Sequence, residues 1–102
     1  MAQFDVYAQG FTRNPDIPYV IALQSDLLSP LRSVVVAPLK RPNVMPVFSR
    51  LTPRLDVNGE TLVLSPMELV HVPVRLPGPP IANLHDDRER ITAALDVLFT
   101  GV

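Results

Sequence analysis

The stretch DDRERITAALDVLFTGV, residues 86–102, has the clearest helical periodicity in the sequence. Its apolar residues recur at i, i+3, i+4 and i+7 and form one stripe: Ile91, Ala94, Leu95 and Leu98. This spacing predicts an α-helix over about residues 86–99 that buries the stripe. Asp86 or His85 is a candidate N-cap. Gly101 stands where a helix commonly ends, because glycine adopts the left-handed conformation without strain.

Short strands are predicted upstream of this helix. Alternating or β-branched apolar runs lie at residues 3–7, 19–23, 32–39, 47–57, 60–64 and 69–76. The dipeptide Asn58-Gly59 separates two of these runs and predicts a type I′ hairpin turn, which requires two positive φ angles. The sequence has twelve prolines, which favour strand edges and bulges because proline cannot donate a hydrogen bond to a sheet. Pro53 and Pro73 are expected at such positions.

These elements predict a mainly β, single-domain fold over residues 1–102. Six or seven antiparallel strands lie within residues 2–76, a proline-rich linker covers residues 77–83, and the helix follows. A partly open β-barrel covered by the C-terminal helix is the expected architecture. The high aliphatic content also suggests that one face is hidden against a second copy of the chain.

Composition narrows the classes of function. Of 102 residues, 47% are hydrophobic and 19% are charged, which is typical of a packed globular chain. The net charge is −1, and Arg32, Lys40 and Arg41 are too few to track a phosphate backbone. The sequence has no apolar run long enough to span a bilayer, no signal-peptide pattern and no cysteine. We expect a cytoplasmic protein without membrane contact or direct nucleic-acid binding.

No catalytic constellation stands out in the sequence. It contains no glycine-rich phosphate loop, no Gly-x-Ser-x-Gly elbow and no His-Glu-x-x-His pattern. His71 is interpreted as a strand histidine with local hydrogen bonds. His85, Asp86 and Asp87 are interpreted as the start of the helix, with a metal site as the weaker alternative. We expect no catalytic residue, metal or cofactor, although a ribonuclease that uses scattered Arg, Asp and Thr side chains stays open.

The polar segment Gln24-Ser25-Asp26 has two interpretations. As structure, it ends a strand and turns the chain through a local side-chain hydrogen bond. As function, it is an exposed polar cluster that flanks a partner together with Leu27 and Leu28. Composition alone favours the turn.

Segments along nearly the whole chain resemble the CcdB toxins. They are QF and VY at residues 3–4 and 6–7, QSD at 24–26, VAPL at 36–39, RL at 50–51, Pro53, VPV at 72–74, ANL at 82–84, Phe99 and Gly101. The resemblance implies a homodimer of SH3-like barrels, each with a C-terminal helix. It also implies the toxin of a CcdA–CcdB toxin–antitoxin module, which binds the DNA gyrase A subunit and traps the cleaved gyrase–DNA complex without chemistry of its own. A CcdA-like antitoxin would wrap the toxin with a disordered tail, and the complex would repress its own operon.

The same resemblance implies a set of gyrase-binding positions: Gln3, Phe4, Tyr7, Ser25, Leu27, Leu28, Asp96, Thr100, Gly101 and Val102. Well-known members carry Phe-Trp-Gly-Ile where this chain has Phe99-Thr100-Gly101-Val102, and their Trp stacks on a gyrase arginine. Threonine has no π face for that contact. One alternative is therefore a CcdB-like protein that keeps antitoxin binding and operon regulation but poisons gyrase weakly or not at all. The other is an RNA endonuclease like the MazF and Kid toxins.

Overall fold

The computed structural model describes residues 1–8, 14–44, 50–75 and 78–102. Within these ranges the chain forms seven β-strands and then one α-helix: β1 (Asp5–Ala8), β2 (Tyr19–Ala22), β3 (Ser33–Lys40), β4 (Arg54–Val57), β5 (Glu60–Leu64), β6 (Val70–Pro73), β7 (Ala82–Asn83) and α1 (Arg88–Thr100). Short 3-10 helices lie at Asp26–Leu28, Pro42–Val44, Pro66–Glu68 and His85–Asp87. The predictions for loop residues 10–13 and for strand residues 47–49 and 76 lie outside the described ranges.

The seven strands form one antiparallel sheet that curls into a nearly closed barrel. Its order is β4-β5-β3-β2-β1-β7, and β6 pairs with β3. Strand β3 is the centre of the sheet, because β2 pairs along one side of it while β5 and β6 share the other side. On that shared side Leu39 pairs with Leu64, and Val36 pairs with Val70. The mainly β fold with seven antiparallel strands and one C-terminal helix is confirmed.

The Asn58-Gly59 hairpin is also confirmed. Both residues have positive φ angles, 51° and 87°, and β4 pairs with β5 across the turn. The first arm is shorter than predicted, because β4 begins at Arg54 and residues 50–52 form a turn and a bend. Pro53 directly precedes the strand, where its carbonyl oxygen accepts a hydrogen bond from β5 and its missing N–H is not needed.

Two predictions at the edge of the barrel were wrong. Strand β1 begins at Asp5 and not at Gln3, because Phe4 has a left-handed φ of 69° that interrupts an extended strand. Residues 82–83, predicted as linker, form β7, which pairs with β1. Two residues are too few to show an alternating pattern, so only the tertiary structure sets this pairing.

Helix α1 starts later than predicted, at Arg88, because His85–Asp87 first form a 3-10 turn. The side-chain oxygen of Asn83 accepts a hydrogen bond from the His85 N–H at 2.9 Å. The N-cap residue of α1 itself makes no side-chain capping bond. The prediction that His85 or Asp86 caps the helix was therefore wrong, and Asn83 fixes the chain at the entry to the helix.

One face of α1 closes the barrel core. Ile91 and Ala94 are buried and Leu95 packs at the margin, but Leu98 is only partly buried, so the fully buried stripe is narrower than predicted. The strands and the turns beside them supply the rest of this core: Phe4, Val6, Ile21, Leu23, Ala37, Leu39, Leu55, Val57, Leu62, Leu64 and Leu84. Gly101 is confirmed as the helix C-cap, with a φ of 78°. None of the helices within the described ranges is long and apolar enough to cross a membrane.

Candidate functional site

The polar segment after β2 is tied to the N-terminal turn. The main-chain N–H of Gln3 donates to the Asp26 carboxylate at 2.8 Å, and the Gln3 side-chain amide donates to the Leu23 carbonyl oxygen at 3.1 Å. The Ser25 hydroxyl oxygen accepts a hydrogen bond from the Leu27 N–H at 3.2 Å and caps the short 3-10 helix. The turn interpretation of this segment is confirmed. The structure also brings two sequence-distant candidates, Gln3 and Ser25, to one place.

The 3-10 helix presents an apolar surface to solvent. Leu27 is 90% exposed, Leu28 is 47% exposed, and Leu31 follows at 51%. These three residues are called the leucine patch below. An isolated exposed leucine is ordinary, but three exposed leucines within five positions are a concentration of apolar side chains typical of surfaces that protein partners cover.

Phe4 and Tyr7, in contrast, are buried. Phe4 packs in the barrel core, with its ring centroid 6.3 Å from that of His85. Tyr7 belongs to a second buried cluster, and its hydroxyl donates to the Asp5 carboxylate at 3.1 Å. Burial and then the adjacent negative charge of Asp5 raise the pKa of Tyr7 to about 12. Both aromatic side chains thus face the interior of the protein rather than a surface that a partner can touch.

The C-terminal end of α1 forms a second exposed surface, which we call the helix tip: Asp96, Phe99, Thr100, Gly101 and Val102. Its largest side chains project into solvent, with Phe99 69% and Val102 74% exposed. The Thr100 hydroxyl donates to the Asp96 carbonyl oxygen at 2.7 Å, a local bond that satisfies the only polar group of that side chain. Phe99 carries part of the sequence resemblance and belongs to the tip that the family uses for contact, but it is not among the individual gyrase-binding positions taken from that resemblance.

Within the described ranges, no hydrogen bond or ion pair joins the leucine patch to the helix tip. The helix tip is instead tied to the segment before β4, since the Arg50 guanidinium donates to the Val102 main-chain oxygen at 3.4 Å. The candidate residues thus fall into two groups, one on the 3-10 helix after β2 and one at the end of α1. A partner that contacts both groups has to bridge them.

A cleft between α1 and the segment before β4 was not predicted from the sequence. Its volume is about 530 Å³, and its lining residues are Arg50, Thr52, Pro53, Arg54, Glu89, Arg90 and Ala93. We call it the arginine cleft. Its cationic residues come from two segments that are distant in the sequence. No local sequence motif could therefore have predicted the cleft.

The remaining polar candidates have structural partners. His71 lies on β6 with its ring nitrogen 2.8 Å from the Ser33 hydroxyl, which confirms the interpretation as a strand histidine. Two of the three basic residues judged too few to track a phosphate backbone are paired with acidic side chains, Lys40 with Glu68 and Arg41 with Glu60. Within the described ranges, no group of three or more His, Asp or Glu residues could hold a metal ion.

These features define a small β-barrel protein with exposed apolar surfaces and hydrogen-bonded turns, a class suited to binding other proteins. The family model described as CcdB protein matches residues 3–101, and the chain belongs to the CcdB family. Membership of that family makes it a toxin of the toxin–antitoxin type. A search of curated proteins found no match to this chain.

Proposed function

We propose that this toxin binds the A subunit of DNA gyrase and traps the gyrase–DNA cleavage complex, which blocks replication. The observation that carries the proposal is the exposure of Phe99 and Val102, 69% and 74%, on either side of the Gly101 turn. Large apolar side chains held in water are typical of contact sites for proteins, and aromatic rings often supply much of the binding energy. Family membership supports a toxin, and the helix tip supports action by binding rather than by catalysis.

The proposed gyrase-binding surface combines both exposed groups: Gln3, Ser25, Leu27, Leu28, Asp96, Phe99, Thr100, Gly101 and Val102. Phe4 and Tyr7 have a different part in this proposal, because their side chains are buried. Their rings anchor the backbone on either side of Asp5 and so hold the N-terminal turn that presents Gln3.

The assembly that we propose is a cytoplasmic homodimer that a CcdA-like antitoxin neutralises, with the toxin–antitoxin complex repressing its own operon. The leucine patch supports a protein interface, because 90% exposure of Leu27 to water is unfavourable for a monomer. A two-fold dimer also suits the target, since two A subunits present two copies of the contacted surface.

The experiment is a supercoiling and DNA-cleavage assay with gyrase from the same host. We expect the purified toxin to inhibit supercoiling and to leave double-strand breaks that appear after denaturation of the gyrase. Expression of the toxin should arrest growth, and co-expression of the antitoxin should relieve the arrest. Absence of both binding to the gyrase A subunit and growth arrest would contradict poisoning.

A second candidate function is favoured by Thr100. Because this side chain offers no aromatic face and bonds its hydroxyl within the helix, the protein could retain antitoxin binding and operon regulation with little poisoning of gyrase. That candidate predicts tight antitoxin binding together with the absence of cleavage complexes. Incubation with cellular RNA separates both candidates from an RNA endonuclease, since only the endonuclease would produce site-specific cuts.

A further inference from the structure

Phe4 has a strained backbone conformation at the start of β1. Its φ of 69° lies in the left-handed region, which is unfavourable for a bulky side chain. The chain turns here, and the Asp5 N–H donates back to the Ala2 carbonyl oxygen at 3.1 Å. Residues 2–5 form the N-terminal turn, and Gln3 lies inside it. Such a conformation persists only where surrounding contacts hold it.

Two main-chain hydrogen bonds hold Phe4 itself. Its N–H donates to the Ala22 carbonyl oxygen at 2.7 Å, and its carbonyl oxygen accepts from the Leu84 N–H at 3.0 Å. Its ring is buried in the barrel core. The residues on either side of Phe4 are bound in addition by a side chain from a distant segment.

That side chain is Asn83 of β7. Its amide nitrogen donates to the Gln3 carbonyl oxygen at 3.1 Å and to the Asp5 carboxylate at 2.9 Å, so both of its N–H groups are used. Its oxygen accepts the His85 N–H at 2.9 Å. One carboxamide thus binds both neighbours of the strained Phe4 and also the entry to α1.

The Asp5 carboxylate divides its contacts between its two oxygens. Oδ1 accepts the bond from Asn83, whereas Oδ2 accepts from the Ala2 N–H at 3.0 Å and from the Tyr7 hydroxyl at 3.1 Å. The group opposite Oδ1 has to be a donor. A second carboxylate at that place would put two like charges within hydrogen-bond distance.

The N-terminal turn is also joined to the 3-10 helix that carries the leucine patch. The Gln3 N–H donates at 2.8 Å to the carboxylate of Asp26, the first residue of that helix. Asp26 and Asn83 therefore bind the N–H and the carbonyl group of the same residue. A change at Asn83 acts on Gln3 and, through Asp26, on the segment that presents Leu27 and Leu28.

We propose that Asn83 is a positioning residue for the gyrase contact. By binding the main chain of Gln3 and the side chain of Asp5, it holds the N-terminal turn, and with it the adjoining leucine patch, in the conformation that the partner meets. A preformed contact surface raises affinity, because less conformational entropy is lost on binding. This inference rests on the proposed function, since gyrase is the partner whose contact is positioned.

Asn83→Asp separates the two roles of this side chain. The carboxylate keeps an oxygen for the His85 N–H, so the entry to α1 is retained. Both donors are lost, however, and the new charge faces the Asp5 carboxylate. Because Asn83 is exposed, we expect the N-terminal turn to loosen while the barrel and α1 stay folded.

The double variant Asp5→Asn/Asn83→Asp tests the contact between the two side chains. The new amide nitrogen at position 5 can donate to the new carboxylate at position 83, and the new amide oxygen can accept from the Ala2 N–H and the Tyr7 hydroxyl. The bond to the Gln3 carbonyl oxygen is not restored. Recovery should therefore be partial.

Asn43→Asp is the matched control, because it adds the same charge at an exposed asparagine of another 3-10 helix, Pro42–Val44. Calorimetry measures the affinity for the gyrase A subunit, under conditions in which unfolding curves show every protein to be folded. Hydrogen exchange of the Gln3 amide reports on the N-terminal turn, since that amide donates to Asp26. A merely structural role of Asn83 would lower stability without changing the affinity of the folded protein.

We expect Asn83→Asp to bind about tenfold or more weakly than the wild type and Asn43→Asp, with faster exchange of the Gln3 amide. The double variant should bind about threefold or more tightly than Asn83→Asp alone.

Three results would overturn the positioning role and leave the proposed function standing. They are wild-type affinity in Asn83→Asp, weaker binding without faster exchange of the Gln3 amide, and no recovery in the double variant. Failure of the wild type to bind the gyrase A subunit is a distinct result. It would contradict the proposed function and, with it, the positioning role.

Discussion

Arg50 and Val102 lie 52 positions apart in the sequence, yet the Arg50 Nη2 donates a hydrogen bond to the Val102 main-chain oxygen at 3.4 Å. This bond connects the segment before β4 with the end of the helix tip. Beyond Gly101 the chain is no longer held by helical hydrogen bonds, so a single external bond can restrict its conformations.

R50Q should therefore loosen the helix tip without unfolding the protein. We expect faster picosecond-to-nanosecond motion of the Val102 backbone amide in NMR relaxation, because its external tie is removed. The free energy of unfolding should change by less than about 0.5 kcal/mol, since both partners are exposed. R32Q is the control for loss of an arginine charge. Unchanged Val102 relaxation in R50Q would show that this bond does not order the tip.

Phe99→Ala tests the aromatic ring of the helix tip. Because Phe99 is 69% exposed, its removal should leave the unfolding free energy within about 0.5 kcal/mol of the wild type. The affinity of the Phe99→Ala variant for the gyrase A subunit, measured by calorimetry, should fall about tenfold or more if the ring is a binding hot spot. Val70→Ala removes another exposed apolar side chain, on β6, and should keep the wild-type affinity. An equal loss of gyrase affinity in Phe99→Ala and Val70→Ala would indicate that the Phe99 ring is not a binding hot spot.

Thr100→Trp restores an aromatic face at the position that departs from the family pattern. The affinity for the gyrase A subunit and the toxicity on expression should both increase, with about 0.5–2 kcal/mol of added binding energy from a cation–π contact. Thr100→Val is the control, because it removes the hydroxyl that bonds to Asp96 but adds no ring. An increase with both variants would trace the gain to the lost hydroxyl. No increase with Thr100→Trp would remove the main support for the weak-poison candidate.

The pKa of Tyr7 predicts a loss of stability at high pH. The folded-state pKa is about 12 against an ordinary 10.0, so the folded protein holds the phenol proton more tightly than the unfolded chain does. Stability from this group is complete below pH 10 and is lost as the pH rises towards 12. The contribution of Tyr7 ionisation to the free energy of unfolding is on the order of 1–3 kcal/mol. Urea unfolding across this range should show a steeper decline for the wild type than for Tyr7→Phe, which has no proton to lose. Parallel declines would contradict the assignment.

Ile91→Ala tests how strongly α1 is bound to the barrel. Ile91 is fully buried, so truncation should lower the free energy of unfolding by about 2–5 kcal/mol through lost burial and a residual cavity. Thr92→Ala, on the exposed side of the same turn, should change it by less than about 0.5 kcal/mol. Chemical denaturation measures both. A small effect of Ile91→Ala would mean that the helix packs loosely on the core.

Local patterns in the sequence were sufficient where the structure depends on local chemistry. Asn58-Gly59 supplies both positive φ angles of the hairpin by itself. The i, i+3 spacing of Ile91 and Ala94 places both on the buried face of one helix. The Gln24-Ser25-Asp26 turn likewise closes through a bond between residues two apart.

Features formed by contacts between distant segments could not be predicted from local sequence patterns. Strand β7 exists because Ala82–Asn83 lie beside β1, and Asn83 also donates its side-chain amide to the Gln3 carbonyl oxygen. The left-handed Phe4 looked like one more apolar position of a strand. The arginine cleft joins residues of α1 to residues before β4. In each case the deciding contact is tertiary, so neither periodicity nor spacing could reveal it.

The pairing of β1 with β7 has a consequence for folding during synthesis. Val6 leaves the ribosome before its partner Ala82, which lies far along the same chain. One side of β1 therefore stays open until β7 has been made, since a contact between such distant residues must wait for the intervening chain. Early folding can proceed through the hairpin of β1 and β2 and the addition of β3. Closure of the barrel, and the docking of α1 that follows β7 in the chain, therefore come after β1 to β6 have been made.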